Sequence, residues 1–128
     1  RLAHEHGVAD RVKFFGFTKD PAPLYAAADL AVHASYSESL SNFLIEAQAH
    51  GLPAVAYAAQ GVDECFLPGD TGAAISFGEQ NAFRAAIQNL SIPDPPRSER
   101  ARTFARTTFD SSRQIQAYLN LFNQLVSP

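Results

Sequence analysis

Two glutamates separated by seven residues, Glu38 and Glu46, stand where the sequence is best suited to chemistry. Glu38 follows the apolar run "LAVHAS" and lies in a Ser-rich turn, whereas Glu46 lies inside the helical pattern that comes next. Because a carboxylate accepts hydrogen bonds from two adjacent hydroxyls, Glu46 is suited to hold the ribose of a nucleotide. Glu38 lies in the turn before the helix. If the phosphates of such a nucleotide lie at the start of the helix, Glu38 is placed to meet the group that is attached beyond them.

The residues between the glutamates, Ser39, Leu40, Ser41 and Asn42, open the helix that carries the second one. Small polar residues at a helix entry leave backbone N–H groups free, and the helix dipole adds partial positive charge there. This turn predicts a site for a diphosphate. The simpler alternative is that Ser39 and Ser41 only cap the helix, and the two neighbouring carboxylates favour the binding site over it.

The elements that must position these residues follow from an alternation of short apolar runs and longer helical patterns. Strands are predicted at residues 12–15, 30–34, 54–57 and 73–76, and helices at residues 40–50 and 79–90. The connections are too long for hairpins, so they predict an α/β fold with a parallel, Rossmann-like sheet flanked by helices. Ligands bind beyond the carboxyl ends of such strands, where Glu38 is expected.

A Pro-rich break, "SIPDPPRSE", ends the region of strands. Two further helices are predicted at residues 98–107 and 111–126. The second carries an apolar stripe, which predicts that it docks on the domain or on a neighbour. The stripe consists of Ile115, Tyr118, Leu119, Phe122, Leu125 and Val126.

Composition limits the classes of function. The chain has 128 residues, 46% of them hydrophobic, which is enough for one globular domain. Its net charge of -3 argues against a nucleic-acid partner. Five arginines nevertheless fall in the C-terminal stretch: Arg97, Arg100, Arg102, Arg106 and Arg113. Contact with anionic lipid headgroups or an acidic partner is one interpretation, but the interspersed Glu99 and Asp110 favour a solvated helix face.

The chain's reactive side chains give little sign of redox or metal chemistry. The single cysteine, Cys65, excludes an internal disulfide, suits a reducing compartment and is interpreted as a small buried residue. His4 and His6, like His33 and His50, lack the spacing of metal ligands, so no metal site is predicted. His33 is interpreted as a strand residue with a satisfied hydrogen bond. No apolar run reaches the ~18 residues of a membrane span, which predicts a soluble, cytoplasmic protein.

Several motifs in order resemble those of the retaining glycosyltransferases of family four, which have the GT-B fold. The stretch "ESLSNFLIEAQAHGLPAVAY" is similar to that family's E-x7-E motif with its Ala-rich helix end, Gly-x-Pro and apolar strand. "VKFFGF", "PLYAAADLAV", "QGVDE" and "GDTGAAISFGE" resemble further segments of the family. The resemblance covers essentially the whole chain.

The resemblance implies that residues 1–128 form one domain, the later part of a C-terminal nucleotide-sugar-binding domain that ends in helices at 98–126. It implies a hexosyltransferase of group 1 that moves a sugar from a UDP-sugar or GDP-sugar to an acceptor with retention, without a metal or other cofactor. Such an enzyme is expected in polysaccharide biosynthesis, in the cytoplasm or in peripheral contact with a membrane. By the same resemblance, Glu38 is the catalytic residue facing the donor sugar, the backbone from Ser39 to Asn42 lies against the diphosphate, and Glu46 holds the ribose.

Other parts that the family uses are not in this sequence. The family's basic pair on the diphosphate normally precedes this region, and no Lys or Arg occurs between Lys19 and Arg84. The acceptor site belongs to a separate N-terminal domain, which is the expected partner besides the nucleotide sugar. The chain is therefore expected to be a fragment that is inactive alone. Ser39 also stands where the family often has Gly, and its Cβ restricts the backbone's approach to a phosphate.

Two alternative functions remain open, and a third is disfavoured. A glycoside hydrolase also uses two carboxylates, but the parallel-sheet pattern and the turn suited to phosphate argue against it. A nucleotide-sugar epimerase shares the GT-B architecture. A non-catalytic nucleotide-binding module would keep the fold without turnover.

Overall fold

The computed structural model describes residues 1–126 and contains a three-stranded parallel sheet. Its strands are β1 (Ala31–His33), β2 (Ala54–Tyr57) and β3 (Gly72–Ile75), in the order β1-β2-β3. Ala31 lies opposite Ala54, which in turn lies opposite Gly72. The predicted α/β fold with a parallel sheet flanked by helices is confirmed.

Six α-helices lie before, between and after the strands within these residues. They are α1 (Leu2–Glu5), α2 (Ala22–Ala26), α3 (Asn42–Ala49), α4 (Gln80–Leu90), α5 (Pro95–Thr108) and α6 (Ser111–Val126). Short 3-10 turns lie at Ala9–Arg11 and Asp63–Cys65. Helix α3 packs against β1 and β2, α4 packs against β2 and β3, and α5 packs against α3. Residues 34–41 connect the carboxyl end of β1 to α3, the helix that carries Glu46.

The prediction of a strand at residues 12–15 is wrong. Val12 has extended backbone angles, but its segment pairs with no strand within residues 1–126, and Phe14 is 87% exposed. A strand needs a hydrogen-bonded neighbour, and an apolar pattern alone does not supply one. The three remaining predicted strands are confirmed to within one residue at each end.

The centre of the core is β2, in agreement with its uninterrupted apolar sequence. Ala54, Val55 and Ala56 are fully buried between β1 and β3. Leu44 from α3 and Phe66 from the turn after β2 complete the packing on this strand. Because parallel strands are covered on both faces, an apolar run of this kind is typical of a central position.

Helix α5 begins three residues before the predicted start at residue 98. Pro95 and Pro96 occupy its first two positions, where the missing N–H groups cost nothing. Asp94 caps the helix, since its Oδ1 accepts a hydrogen bond of 3.0 Å from the N–H of Arg97. The Pro-rich segment is therefore the first turn of a helix and not only a break.

Helix α6 does not dock on this domain as one interpretation predicted. Its apolar residues are all exposed, including Tyr118 and Leu125. Docking on a neighbour stays a prediction. None of the helices within residues 1–126 combines the length and apolarity needed to cross a membrane.

The C-terminal arginines attach α5 to the domain. Arg100 makes two hydrogen bonds to the carboxylate of Asp70, each 2.6 Å long, and these hold the pKa of that carboxyl below its usual range. Arg102 donates to the carbonyl oxygen of His50 at 3.3 Å. The predicted solvated face is thus only part of their role, since three of the five side chains join α5 to earlier segments. The third is Arg97, which donates to the carbonyl oxygens of Leu90 at 3.5 Å and Ile92 at 3.4 Å.

Gln48 links α3 to the sheet. Its buried Nε2 donates to the carbonyl oxygens of Leu52 at 2.8 Å and Thr71 at 3.1 Å, just before β2 and β3. We expect Gln48→Met, which keeps the volume but removes the donor, to lower the free energy of unfolding by about 1–2 kcal/mol, because the Leu52 carbonyl is left without a donor. Urea denaturation measures this, with exposed Gln88→Met as the control. Equal effects of both substitutions would contradict the role of Gln48.

Candidate functional site

The first of the two glutamates lies at the carboxyl edge of the sheet and is held by the last residue of β1. The Nε2 atom of His33 lies 2.8 Å from Oε1 of Glu38. Both side chains are partly buried, with exposed fractions of 22% and 25%. The predicted hydrogen bond of His33 is confirmed, and its partner is the carboxylate that the sequence marked out for chemistry.

The entry to α3 follows this glutamate, and no side chain caps it. Ser41 occupies the N-cap position and is 4% exposed, but its hydroxyl makes no cap hydrogen bond to α3. Its carbonyl oxygen accepts from the N–H of Ile45 at 3.1 Å. The first turn of α3 carries no acidic residue. The interpretation that Ser39 and Ser41 only cap the helix is therefore wrong, because no side-chain cap hydrogen bond is formed. The N–H groups of the first turn keep their capacity to bind an anion.

A glycine after β2, Gly61, packs closely against the backbone of this turn. Gly61 has a φ of 75°, and a Cβ placed on it would lie 1.5 Å from the carbonyl oxygen of Ser39. The two backbones approach so closely that only glycine fits. Cys65 lies beneath both segments, with its Sγ 3.3 Å from the Gly61 carbonyl oxygen and 3.8 Å from that of Ser41. Burial raises the pKa of the Cys65 thiol and confirms it as a small buried residue.

The second glutamate has a partner that the sequence analysis missed. The hydroxyl of Tyr25, on α2, donates to Oε2 of Glu46 at 3.0 Å. Burial, reinforced by this hydrogen bond, raises the pKa of Tyr25 to about 12. The only sequence signal was a tyrosine among the alanines of "PLYAAAD", which does not name a partner.

One ring joins the surroundings of the two glutamates. The ring centroid of Phe43 lies 5.6 Å from that of His33 and 6.1 Å from that of Tyr25. His50 stacks on Tyr25 with centroids 4.9 Å apart. Each glutamate is therefore bound to an aromatic partner, and both partners pack against the same phenylalanine of α3.

The rest of the structure offers fewer signs of chemistry. A cavity of about 310 Å³ lies at the opposite ends of the strands. It is lined by residues that precede β1 and β2, including Asp29 and Pro53, and by residues between Leu90 and Arg102. Among residues 1–126, no three His, Cys, Asp or Glu side chains are grouped to hold a metal ion. The residues predicted from sequence follow one another from the carboxyl end of β1 into α3: Glu38, the turn 39–42 and Glu46.

Comparison with known proteins gives similar enzymes over nearly the whole chain. The lipopolysaccharide core biosynthesis glycosyltransferase LpsE of Rhizobium meliloti is 31% identical over 124 residues, which are 94% of this chain and 36% of that protein. The sucrose-phosphate synthase of Thermosynechococcus elongatus has a similar structure, with a TM-score of 0.82, 30% identity and coverage of 97% of this chain and 32% of that one.

Anabaena HepE in complex with UDP-glucose is similar as well, with a TM-score of 0.74, 30% identity and coverage of 92% of this chain and 34% of that one. The chain thus spans about a third of the length of the proteins it resembles. Residues 1–91 match the family described as "Glycosyl transferases group 1". Family match, relatives and fold agree, and the chain belongs to the group 1 glycosyl transferases.

Proposed function

We propose that this chain supplies the donor-binding site of a retaining glycosyltransferase of family four. The observation that carries the proposal is the placement of Glu38 and Glu46 on either side of an uncapped helix entry at the carboxyl edge of β1. This edge is where open parallel sheets bind ligands. A nucleotide sugar fits the order of these groups, in which the carboxylate of Glu38 comes first, the free N–H groups of the helix entry follow, and the carboxylate of Glu46 comes last.

Each part of the donor has a counterpart in the site. The backbone of Ser39, Leu40, Ser41 and Asn42 binds the diphosphate through N–H groups and the positive end of the α3 dipole. Glu46 accepts hydrogen bonds from the ribose hydroxyls. Glu38 faces the donor sugar and stabilises positive charge as the bond to the diphosphate breaks.

The similar structures support the choice of ligand. HepE was solved with UDP, with UDP and glucose, and with UDP-glucose. At 30% identity over 92% of this chain, that likeness makes a nucleoside diphosphate sugar the donor class that we propose. We propose UDP-sugar or GDP-sugar, with no metal or organic cofactor, as the family resemblance implies.

The acceptor site and the remaining diphosphate contacts are assigned to other parts of the complete protein. Between Lys19 and Arg84 this chain offers no cationic Lys or Arg side chain to a diphosphate. The chain forms the later part of a C-terminal donor domain, an N-terminal domain binds the acceptor, and the chain alone is inactive. We also propose that the complete protein takes part in polysaccharide biosynthesis in the cytoplasm, in peripheral contact with a membrane.

The test of the proposal is the substitution Glu46→Ala in the complete protein. We expect it to weaken binding of the nucleoside diphosphate by ~1.5–3 kcal/mol, because hydrogen bonds to a charged group are lost. Isothermal titration calorimetry with uridine and guanosine diphosphate measures the change.

The control for this substitution is Glu99→Ala, since Glu99 is an exposed residue of α5 outside the site. We expect the control to bind both diphosphates as the wild type does. Unchanged affinity in Glu46→Ala would remove Glu46 from the donor site. Binding without any sugar transfer in the wild-type protein would favour the non-catalytic module instead.

A further inference from the structure

We propose that Tyr25 is a positioning residue that orients the carboxylate of Glu46 toward the ribose of the nucleotide. The inference rests on the proposed function, because it presupposes that this carboxylate binds ribose. It assigns a role to a side chain 21 residues earlier in the sequence, on a different helix, which the motif from Glu38 to Glu46 does not include.

The hydrogen bond from Tyr25 engages only one of the two carboxylate oxygens of Glu46. Tyr25 donates to Oε2 of Glu46 at 3.0 Å, whereas no hydrogen bond within residues 1–126 engages Oε1. A glutamate on a helix surface otherwise samples several rotamers, and fixing one costs rotamer entropy at the moment of binding. With one oxygen held in advance, the carboxylate presents a fixed pair of acceptor directions to a diol. Preorganisation of this kind raises affinity by lowering the cost of ordering.

The ring of Tyr25 is itself fixed in place. It is only 9% exposed and lies between two rings, stacked on His50 at 4.9 Å and tilted against Phe43 at 6.1 Å. Both of these rings belong to the α3 region that also carries Glu46. The hydroxyl is thus aimed at the carboxylate by packing, which is what a positioning role requires.

The direction of the hydrogen bond is fixed as well. Burial and the neighbouring carboxylate raise the pKa of Tyr25 to about 12, so its hydroxyl keeps its proton near neutral pH. A carboxylate oxygen can only accept, and the phenol therefore donates. The contact leaves the negative charge in place for ligand hydroxyls, which an arginine or lysine at this position would neutralise.

The test compares two ligands in the complete protein: uridine diphosphate and 2′,3′-dideoxyuridine diphosphate, which lacks both ribose hydroxyls. If guanosine diphosphate binds the wild type more tightly, the guanosine pair is used. We expect Tyr25→Phe to weaken binding of the ribose form about fivefold to tenfold and to leave binding of the dideoxy form nearly unchanged. The preference for ribose should fall accordingly. The matched control is Tyr118→Phe, because Tyr118 is exposed on α6 and should leave both affinities unaltered.

The outcomes separate this inference from the proposed function. If Glu46→Ala removes the preference for ribose and Tyr25→Phe keeps it, the positioning role is overturned and the donor site stands. If Tyr25→Phe weakens both ligands equally, Tyr25 has only a structural role and the inference is again overturned. If Glu46→Ala leaves the preference intact, or neither diphosphate binds the wild type, both proposals fall. In the double variant, Tyr25→Phe should add nothing to Glu46→Ala, and an additive loss contradicts the inference.

Discussion

Replacing Glu38 with Gln in the complete protein is expected to lower sugar transfer by a factor of ~100 or more, equivalent to about 2.7 kcal/mol, while nucleotide binding stays almost normal. The reason is that Glu38 is proposed to act on charge that develops only as the bond between sugar and diphosphate breaks. An interaction that strengthens in the transition state affects turnover more than binding.

The structure makes glutamine a sharper probe of Glu38 than alanine. Glu38 is bonded to Nε2 of His33 at 2.8 Å, and an amide can replace the carboxylate in that contact with either tautomer of the imidazole. Glutamine therefore keeps the side chain's size and its hydrogen bond, and removes the charge. A loss of transfer then reports on charge and not on a collapsed turn.

The measurement is steady-state transfer together with calorimetric binding of the product nucleotide, with exposed Glu99→Gln as the control. Transfer within a few-fold of wild type would make Glu38 a bystander. A collapse of nucleotide binding would mean that the donor lies in the opposite direction along the site.

Gly61→Ala should damage both the fold and the site. The new Cβ would meet the carbonyl oxygen of Ser39 at 1.5 Å, so the turn before α3 has to move. Overpacking and a left-handed backbone conformation together are expected to cost at least about 3 kcal/mol in the free energy of unfolding. Because the displaced turn is the proposed diphosphate site, nucleotide affinity should fall about tenfold or more.

Gly69→Ala is the matched control for Gly61→Ala. Gly69 has a φ of 78°, close to the 75° of Gly61, but an added Cβ would have no atom within 4 Å. The control should cost about 1–2 kcal/mol from the backbone conformation alone and leave nucleotide affinity unchanged. Thermal unfolding and calorimetric titration compare the two variants. Equal losses of affinity would show that the contact with Ser39 does not support the binding turn.

The fold was predictable from sequence where one segment carries its own signal. β2 combines an apolar run with a Gly-x-Pro boundary, and the prediction matches Ala54–Tyr57 at both ends. The segment at residues 12–15 has an equally apolar pattern, but a strand also depends on a neighbour, which a local pattern does not report. The start of α5 was missed because prolines were taken as a break, although Asp94 caps a helix that begins with them.

The candidate site was predictable only in part for a similar reason. Glu46 stands out because a charge is not needed at its position in the helical pattern, and Glu38 stands out because it follows a predicted strand directly. Tyr25 does not stand out, because its role comes from a hydrogen bond across 21 residues of sequence. Gly61 lies in "QGVDE", which resembles a segment of the family. Its contact with Ser39 cannot be read from that segment, because it forms only when the two loops pack together.

The buried thiol of Cys65 makes the chain its own reporter of local opening. Its Sγ lies beneath Gly61 and Ser41 and is shielded from solvent while the two loops stay closed. A raised pKa keeps it in the unreactive thiol form, so alkylating reagents modify it only when this part of the structure opens and exposes the thiol. The rate of its alkylation therefore measures how often this region opens. A ligand bound at the turn before α3 should lower that rate, so binding can be followed without introducing a label.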